Sequence, residues 1–410
     1  MIAASFDWQR LQNGSDIRGV ALDGVPDEAV NLSPEVVTRL GQAFACWLAQ
    51  SKNLEPKALT IALGRDSRLS GPDLLQATAA GIQSQGAEVI DVGLASTPAM
   101  FVSTLPATLN CDGAIMLTAS HLPFNRNGLK FFTAAGGLDK PDIAAIVKLA
   151  EANDFSTATS SGIKTVPFLE TYADGLVDMI RKGVNHAEHF ETPLKGLKII
   201  VDAGNGAGGF FATQVLKPLG ADTTGSQFLE PNGNFPNHIP NPEDKAAIAS
   251  LQQAVLDNKA DFGLIFDTDV DRAGAVNSDG QALNRNRLIA LMASIVLEGS
   301  PGSTIVTDSI TSDGLTTFIE NELKGKHHRY IRGYKNVINE AKRLNQAGDE
   351  SGLAIETSGH AALKENYFLD DGAYLVSKLL IALAKSHQSG QGLMDRIAKL
   401  QEPVESQEFR

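Results

Sequence analysis

ALTIALGRDSRLSGPDLLQATAAGIQSQGAEVIDV, residues 58–92, holds one full cycle of strand, turn, helix and strand. The apolar run 58–63 reads as a short strand, GRDSRLSGP (64–72) as a polar turn, 72–85 as a helix and 87–92 as the next strand. Apolar runs of this length separated by helices of about ten residues or more make βαβ units. Outward from it the alternation continues: a short helix at 97–105, a strand GAIMLT at 113–118, a polar loop to 128 and a strand GLKFF at 128–132. The small, polar run FSTATSSGI (155–163) marks a boundary, after which a helix at 167–182 and a strand at 197–201 run into the Gly-rich GLKIIVDAGNGAGG (196–209) and a further helix. The loop at 228–242, dense in Pro, Asn and Gly, has the make-up of a surface functional loop. FGLIF (262–266) is a strand ending in DTDVDR, and a third cycle begins with a helix at 285–298 and a strand at 303–307. The expectation is three similar tandem α/β domains with mixed sheets and functional loops beyond the C-terminal strand ends.

Composition narrows the function. The chain has 410 residues, with 35 Lys plus Arg against 48 Asp plus Glu, so its formal charge is −13. That argues against a general nucleic-acid backbone binder, although a local basic pocket can still hold a phosphate. Cys46 and Cys111 are too few for a disulfide framework, which points to a reducing compartment, the cytoplasm. MIAASFDWQRLQNGSDIRG at the start has no basic stretch followed by an apolar core, and no run of about 18 apolar residues occurs, so neither a secretory signal nor a membrane span is expected.

Several residue sets invite chemistry. Asp267, Asp269 and Asp271 alternate directly after a strand, where a loop can wrap three carboxylates around one hard cation such as Mg²⁺; a solvated acidic turn is the competing reading. Arg272 beside them either neutralises a carboxylate or holds a phosphate. Ser120 follows a strand, with His121 adjacent and Lys130 downstream, so it is either a nucleophile or phosphate carrier or a member of an ordinary Ser/Asn turn. The surroundings are not the G-x-S-x-G elbow of hydrolases. The glycines at 204, 206, 208 and 209 fit neither the Walker A pattern nor the dinucleotide fingerprint, and a tight strand-to-helix turn is the favoured reading. Glu356, Ser358 and His360 can hydrogen-bond several hydroxyls of a polyol, or form an exposed turn. Arg18, Arg65 and Arg68 are candidate phosphate contacts.

The order SDIRG (15–19), GRDSR (64–68), TASHLPFNRNG (118–128), PNGNFPNHIPNPE (231–243), DTDVDR (267–272) and ETSGH (356–360) resembles the α-D-phosphohexomutase family of phosphoglucomutases, phosphomannomutases and phosphoglucosamine mutases. The resemblance runs to about residue 390. It implies that active-site loops of several domains meet in a central cleft and that Ser120 is a phosphoserine, bound with Asp267, Asp269 and Asp271 to Mg²⁺. Arg18, His121 and Lys130 would line the reacting site, with His121 or Lys130 moving protons. Arg272, Arg332, Glu356 and Ser358 would contact substrate, as would His360, which also supports its loop. The implied reaction interconverts hexose 1-phosphate and hexose 6-phosphate through a hexose 1,6-bisphosphate, which also serves as activator. Hexose phosphates would be the partners, with no nucleic acid and no membrane, and the protein would be a monomer or weak dimer.

The implied domains are 1–160 with the serine loop, 161–280 with the metal loop and 281–400 with the sugar loop. Residues 401–410 would lead towards a fourth, phosphate-gripping domain, whose Arg-x-Ser-Gly-Thr-Glu-Pro type run does not occur in the sequence. Leu122 stands where the family's serine loop carries asparagine, and Thr268 and Val270 replace two glycines of the metal loop. Ile355 replaces a glycine before the sugar-loop glutamate. Valine disfavours positive φ, so a changed metal-loop conformation is expected. These departures favour one alternative, a catalytically weakened sugar-phosphate-binding regulator; a separate one is a metal-dependent phosphatase, in which serine phosphate hydrolyses in an open cleft. SDIRG and SGH lean towards phosphomannomutase/phosphoglucomutase, while NGLKFF has a phosphoglucosamine-mutase flavour.

Overall fold

The computed structural model describes residues 2, 5–156, 158, 162–283 and 285–403. The expected linker therefore lies outside the described residues from 404 onward, as do positions 157 and 159–161 of the expected boundary. The chain forms two compact units. One contains Met1–Tyr172 together with Asn205–Gly208 and Glu230–Pro240, and the other contains Ala173–Gly204, Gly209–Leu229 and Asn241–Arg410.

The first unit is built on an eight-stranded mixed sheet. Thr60–Arg65 lies between two parallel neighbours, Gly113–Leu117 and Glu88–Leu94, with Ile163–Thr165 parallel beyond the latter. On the other side Arg126–Thr133 runs antiparallel to Gly113–Leu117, followed by Asp16–Val20 and Gln12–Asn13, each antiparallel to its neighbour. The strand expected at 58–63 begins two residues later because Pro56–Ala58 close a 3₁₀ turn. Helices Pro34–Lys52, Gly71–Gln83 and Lys140–Ala152 cover the sheet, and their apolar faces join Leu63, Ile115 and Phe131 in one core. Pro34–Lys52 has clear ends: the Ser33 hydroxyl accepts from the Val36 amide, Pro34 occupies the first turn, and Asn53 closes it in the left-handed region.

The second unit carries two smaller mixed sheets. In one, Phe262–Phe266 is parallel to Ile199–Asp202 and antiparallel to Ala273–Asn277. The helix expected after the Gly-rich turn reduces to a six-residue π-helical segment, Phe211–Leu216. In the other sheet, Thr304–Asp308 has parallel neighbours Lys326–Tyr330 and Ser351–Ile355, and the antiparallel strands Ala361–Leu363 and Leu369–Asp370 complete it. Helix Gly372–Ser389 packs on strands of both sheets, burying Leu375, Leu379 and Leu380. The three sheets are the three expected tandem α/β domains with mixed sheets. The C-terminal ends of Gly113–Leu117, Phe262–Phe266, Thr304–Asp308 and Ser351–Ile355 deliver the loops that matter next.

Candidate active site

In the first unit, Ser120 lies three residues past the strand Gly113–Leu117 in the left-handed region, φ +51°. Its amide donates to the Thr118 hydroxyl at 2.9 Å, and its carbonyl accepts from Arg68 Nη2 at 2.5 Å. The Ser120 Oγ to His121 Nδ1 distance is 3.3 Å, and His121 is exposed. Lys130 is buried on the strand Arg126–Thr133, directly opposite Met116. Arg18 pairs in register with Gly128, and its guanidinium donates to the Thr118 carbonyl at 3.1 Å and to Asp16 at 2.9 Å. A Cβ on Gly128 would stand 2.9 Å from Arg18 Cδ and 2.8 Å from the Thr118 carbonyl, so glycine is what lets the arginine cross the strand.

The reading of Arg68 as a phosphate contact is corrected, whereas the half-buried Arg65 stays a proposed one. Arg65 donates to the Asp66 carbonyl. Arg68 is fully buried and binds four main-chain carbonyls of the serine loop, at Ser120, Leu122, Pro123 and Arg126. Leu122 thus enters the loop through its carbonyl, a contact that any side chain would leave intact. The loop Glu230–Pro240 also belongs to this unit and is pinned by Asn205. Asn205 donates to the Glu230 carbonyl and accepts from the Asn232 amide and the Asn237 side chain. The Gly-rich run is accordingly the tight turn expected, with Gly204 and Asn205 both left-handed.

In the second unit, Asp267, Asp269 and Asp271 follow the strand Phe262–Phe266 and are 0%, 0% and 2% exposed. One oxygen from each carboxylate lies within 4.8 Å of the others. Val270 within this loop adopts φ +66° while fully buried, a region that a β-branched residue disfavours. Arg272 pairs with the first of these carboxylates. Its Nε and Nη2 donate to Asp267 Oδ2 at 3.2 and 3.1 Å, and its Nη1 donates to Asn241 at 3.1 Å. Burial works against its charge, but Asp267, Asp271, Asp269 and Glu243 outweigh it and hold the pKa above the ordinary arginine value.

The sugar-loop residues follow strand Ser351–Ile355. Glu356 is buried, its Oε1 accepts the Gly333 amide at 2.6 Å, and burial raises its pKa despite that bond and the nearby His360. His360 is held by Asp370 through Nδ1 at 2.5 Å and stacks on Tyr334 at 4.9 Å between ring centres. Burial disfavours its charged form, but Asp370 prevails and its pKa rises to about 9. Asp370 and Tyr334 thus fix the imidazole of His360. The Ser358 hydroxyl is buried with no hydrogen-bond partner among the described residues. Arg332 is part-buried immediately before the Gly333–Tyr334 turn.

Asp308 was missed by sequence reading. It ends strand Thr304–Asp308, is fully buried, and its Oδ2 accepts from the Thr357 amide at 3.2 Å and hydroxyl at 2.7 Å. Burial raises its pKa against those bonds and against Arg332. A carboxylate at the end of a central parallel strand was the available signal.

Three family descriptions match in tandem: phosphoglucomutase/phosphomannomutase alpha/beta/alpha domain I over residues 9–157, domain II over 173–280 and domain III over 284–400. The chain is 34% identical over 380 residues to a phosphomannomutase/phosphoglucomutase of Pseudomonas putida, covering 92% of this chain and 75% of that protein. It is 32% identical over 381 residues to a phosphoglucomutase of Neisseria gonorrhoeae, covering 92% and 76%. Among solved structures, a phosphoglucomutase/phosphomannomutase family protein of Burkholderia thailandensis matches with a TM-score of 0.79 at 29% identity, over 98% of this chain and 81% of that one.

Proposed function

The chain belongs to the phosphoglucomutase/phosphomannomutase family, and on that premise we propose that it interconverts hexose 1-phosphate and hexose 6-phosphate with Ser120 as the phosphate carrier. The observation that carries this reading is Ser120 itself, buried at a strand end with both flanking peptide groups hydrogen-bonded. In the first transfer the bond from phosphorus to Ser120 Oγ breaks as a bond to the sugar hydroxyl oxygen forms, and the sugar's proton passes to a base. The freed Ser120 Oγ takes a proton, and the resulting hexose 1,6-bisphosphate then returns its other phosphoryl group: its bond to the sugar oxygen breaks as the bond to Ser120 Oγ forms, and the sugar oxygen takes a proton. The serine proton leaves as that bond forms, and the hydroxyl's 3.3 Å contact supports His121 as its acceptor, with Lys130 the other candidate.

The metal of the proposal is Mg²⁺, with Asp267, Asp269 and Asp271 as protein ligands. Three buried carboxylates with converging oxygens form a hard donor set that a divalent cation suits. Bound there, the cation would offset the charge of a transferring phosphoryl group. Arg272 fixes Asp267 within that set, Glu356 and Ser358 are the proposed sugar contacts, and Arg332 a proposed phosphate contact. The domain limits proposed are 1–160, 161–280 and 281–400, supported by the three tandem matches.

Phosphomannomutase/phosphoglucomutase activity is preferred over phosphoglucosamine mutase, supported by SDIRG and SGH. A cytoplasmic monomer or weak dimer acting on free hexose phosphates completes the proposal; no helix among the described residues is long and apolar enough to cross a membrane. The regulator alternative finds no support in the relatives, which carry mutase names, and Leu122 enters its loop through a carbonyl that any side chain would leave in place. Incubation with hexose 1,6-bisphosphate should add one phosphoryl group, about 80 Da, by the transfer chemistry above. Peptide mapping should place it on Ser120, and S120A should take none. An unmodified wild-type protein with Mg²⁺ present would defeat the reading. Comparing turnover of glucose, mannose and glucosamine phosphates decides the substrate.

A further inference from the structure

We propose that Arg68 is a positioning residue for the phosphate carrier: its guanidinium sets the main chain of residues 120–126 and thereby aims Ser120 Oγ. The role rests on Ser120 being the carrier. Arg68 is fully buried. Nη2 donates to the Ser120 carbonyl at 2.5 Å and the Leu122 carbonyl at 2.6 Å, and Nη1 to the Pro123 carbonyl at 2.7 Å and the Arg126 carbonyl at 2.9 Å. Asp66 orients the fork from behind, with its Oδ1 accepting the Arg68 amide at 2.9 Å and its Oδ2 lying 3.3 Å from Nε.

The geometry needs a planar group with donors fixed in a fork. A lysine ammonium presents three donors from one point and cannot serve four carbonyls spread over seven residues. With Asp66 the arginine forms a near-neutral buried pair, so its contribution is directional rather than a free positive charge. Burial of that pair is aided by Glu230–Pro240. The Phe235 ring centre lies 5.3 Å from the guanidinium carbon. Gly233 approaches so closely that a Cβ there would stand 2.8 Å from Arg68 Cα and 2.5 Å from the Leu69 amide nitrogen. The loop that the sequence marks as functional thus covers the arginine that holds the serine.

In-line phosphoryl transfer is sensitive to the position of the attacking oxygen, and a misplacement of about 1 Å costs roughly 100-fold in rate. R68K and F235A test the role against wild type, using the rate of Ser120 phosphorylation by hexose 1,6-bisphosphate, kcat and KM for the hexose phosphate, and hydrogen exchange across 118–126. R68K should phosphorylate Ser120 roughly 100-fold more slowly, with KM within about 3-fold of wild type and faster exchange in 119–126. F235A should show the same exchange change and a rate loss of about 5–10-fold, because water then reaches the fork. Wild-type phosphorylation rates in both variants would overturn the role, as would a loss confined to KM, which would make Arg68 a substrate contact. If R68K does not fold, F235A decides by the same criteria. A wild-type protein that takes no phosphoryl group overturns the Ser120 reading, and this role with it; a phosphorylated wild type beside unimpaired variants overturns this role alone.

Discussion

Val270 sits at φ +66° with its side chain fully buried, a conformation that costs a β-branched residue on the order of 1–3 kcal/mol. Its neighbours hold it there: the Val270 amide donates to the Asp267 carbonyl at 3.3 Å, and its carbonyl accepts from the Gly372 amide at 3.0 Å. Hydrogen bonds at both peptide groups therefore outweigh the residue's preference and hold Val270 in the left-handed region. Asp308 works in the same way on the sugar loop, since one carboxylate oxygen receives both Thr357 donors. Asp308→Ala should destabilise the protein by about 1–3 kcal/mol and lower kcat, because two donors lose their acceptor in a buried place. Asp308→Asn keeps an acceptor oxygen and should fall well short of that loss. Urea unfolding of the two variants checks this, and equal stabilities would refute the bonding argument.

Strand Lys326–Tyr330 carries a histidine whose chemistry is set by the elements around it. His327 bonds Thr307 of the next strand through Nε2 at 2.8 Å and Thr316 of helix Asp313–Thr317 through Nδ1 at 2.7 Å. Burial, with Arg329 and His328 adding to it, pushes its pKa down from 6.5 to about 4. In the unfolded chain the imidazole takes its proton near pH 6.5, whereas in the folded chain it resists until about pH 4. The unfolded state thus binds more protons between those values, so stability falls as pH drops through them and is flat above. The loss by pH 5 is about 1–2 kcal/mol. His327→Gln should remove that part of the pH dependence, measured as the difference in denaturant midpoints between pH 7 and pH 5. An identical pH dependence in wild type and variant would show that His327 is not the group responsible.

Across the whole molecule the net charge is −13, yet the acidic groups that bear on function are a buried, converging few. Their mutual repulsion in the folded state makes a divalent cation a stabiliser of the folded form. At a Mg²⁺ concentration 100 times its dissociation constant the gain is about 2.7 kcal/mol. For a unit of roughly 200 residues that corresponds to a rise of about 5–10 °C in the melting temperature. Asp269→Ala should abolish most of this rise, and an unchanged Mg²⁺-dependent shift in the variant would remove these aspartates from the ligand set. The tertiary division also differs from the linear one. Asn205–Gly208 and Glu230–Pro240 leave the stretch around them to join the unit formed by the first 172 residues.

The alternation of short apolar runs with helices was legible from sequence because strand and helix burial are periodic over a few neighbouring residues. The strand Phe262–Phe266 was read at its observed limits, and Gly113–Leu117 to within one residue. Helices Pro34–Lys52 and Lys140–Ala152 are amphipathic segments without a motif, so short apolar runs and polar loops do not single them out in the sequence. The serine and the aspartates were visible as short polar clusters at strand ends. What each arginine does was not visible, since a guanidinium in a motif looks the same whether it faces a ligand or a carbonyl. Arg68 and the Ser120 carbonyl are 52 positions apart, and Asp308 and Thr357 are 49 apart. Local sequence determines which residues are polar and where strands end. Only the return of the chain through the tertiary fold decides which buried acceptor each donor meets, because a polar group taken out of water must find its partner in space.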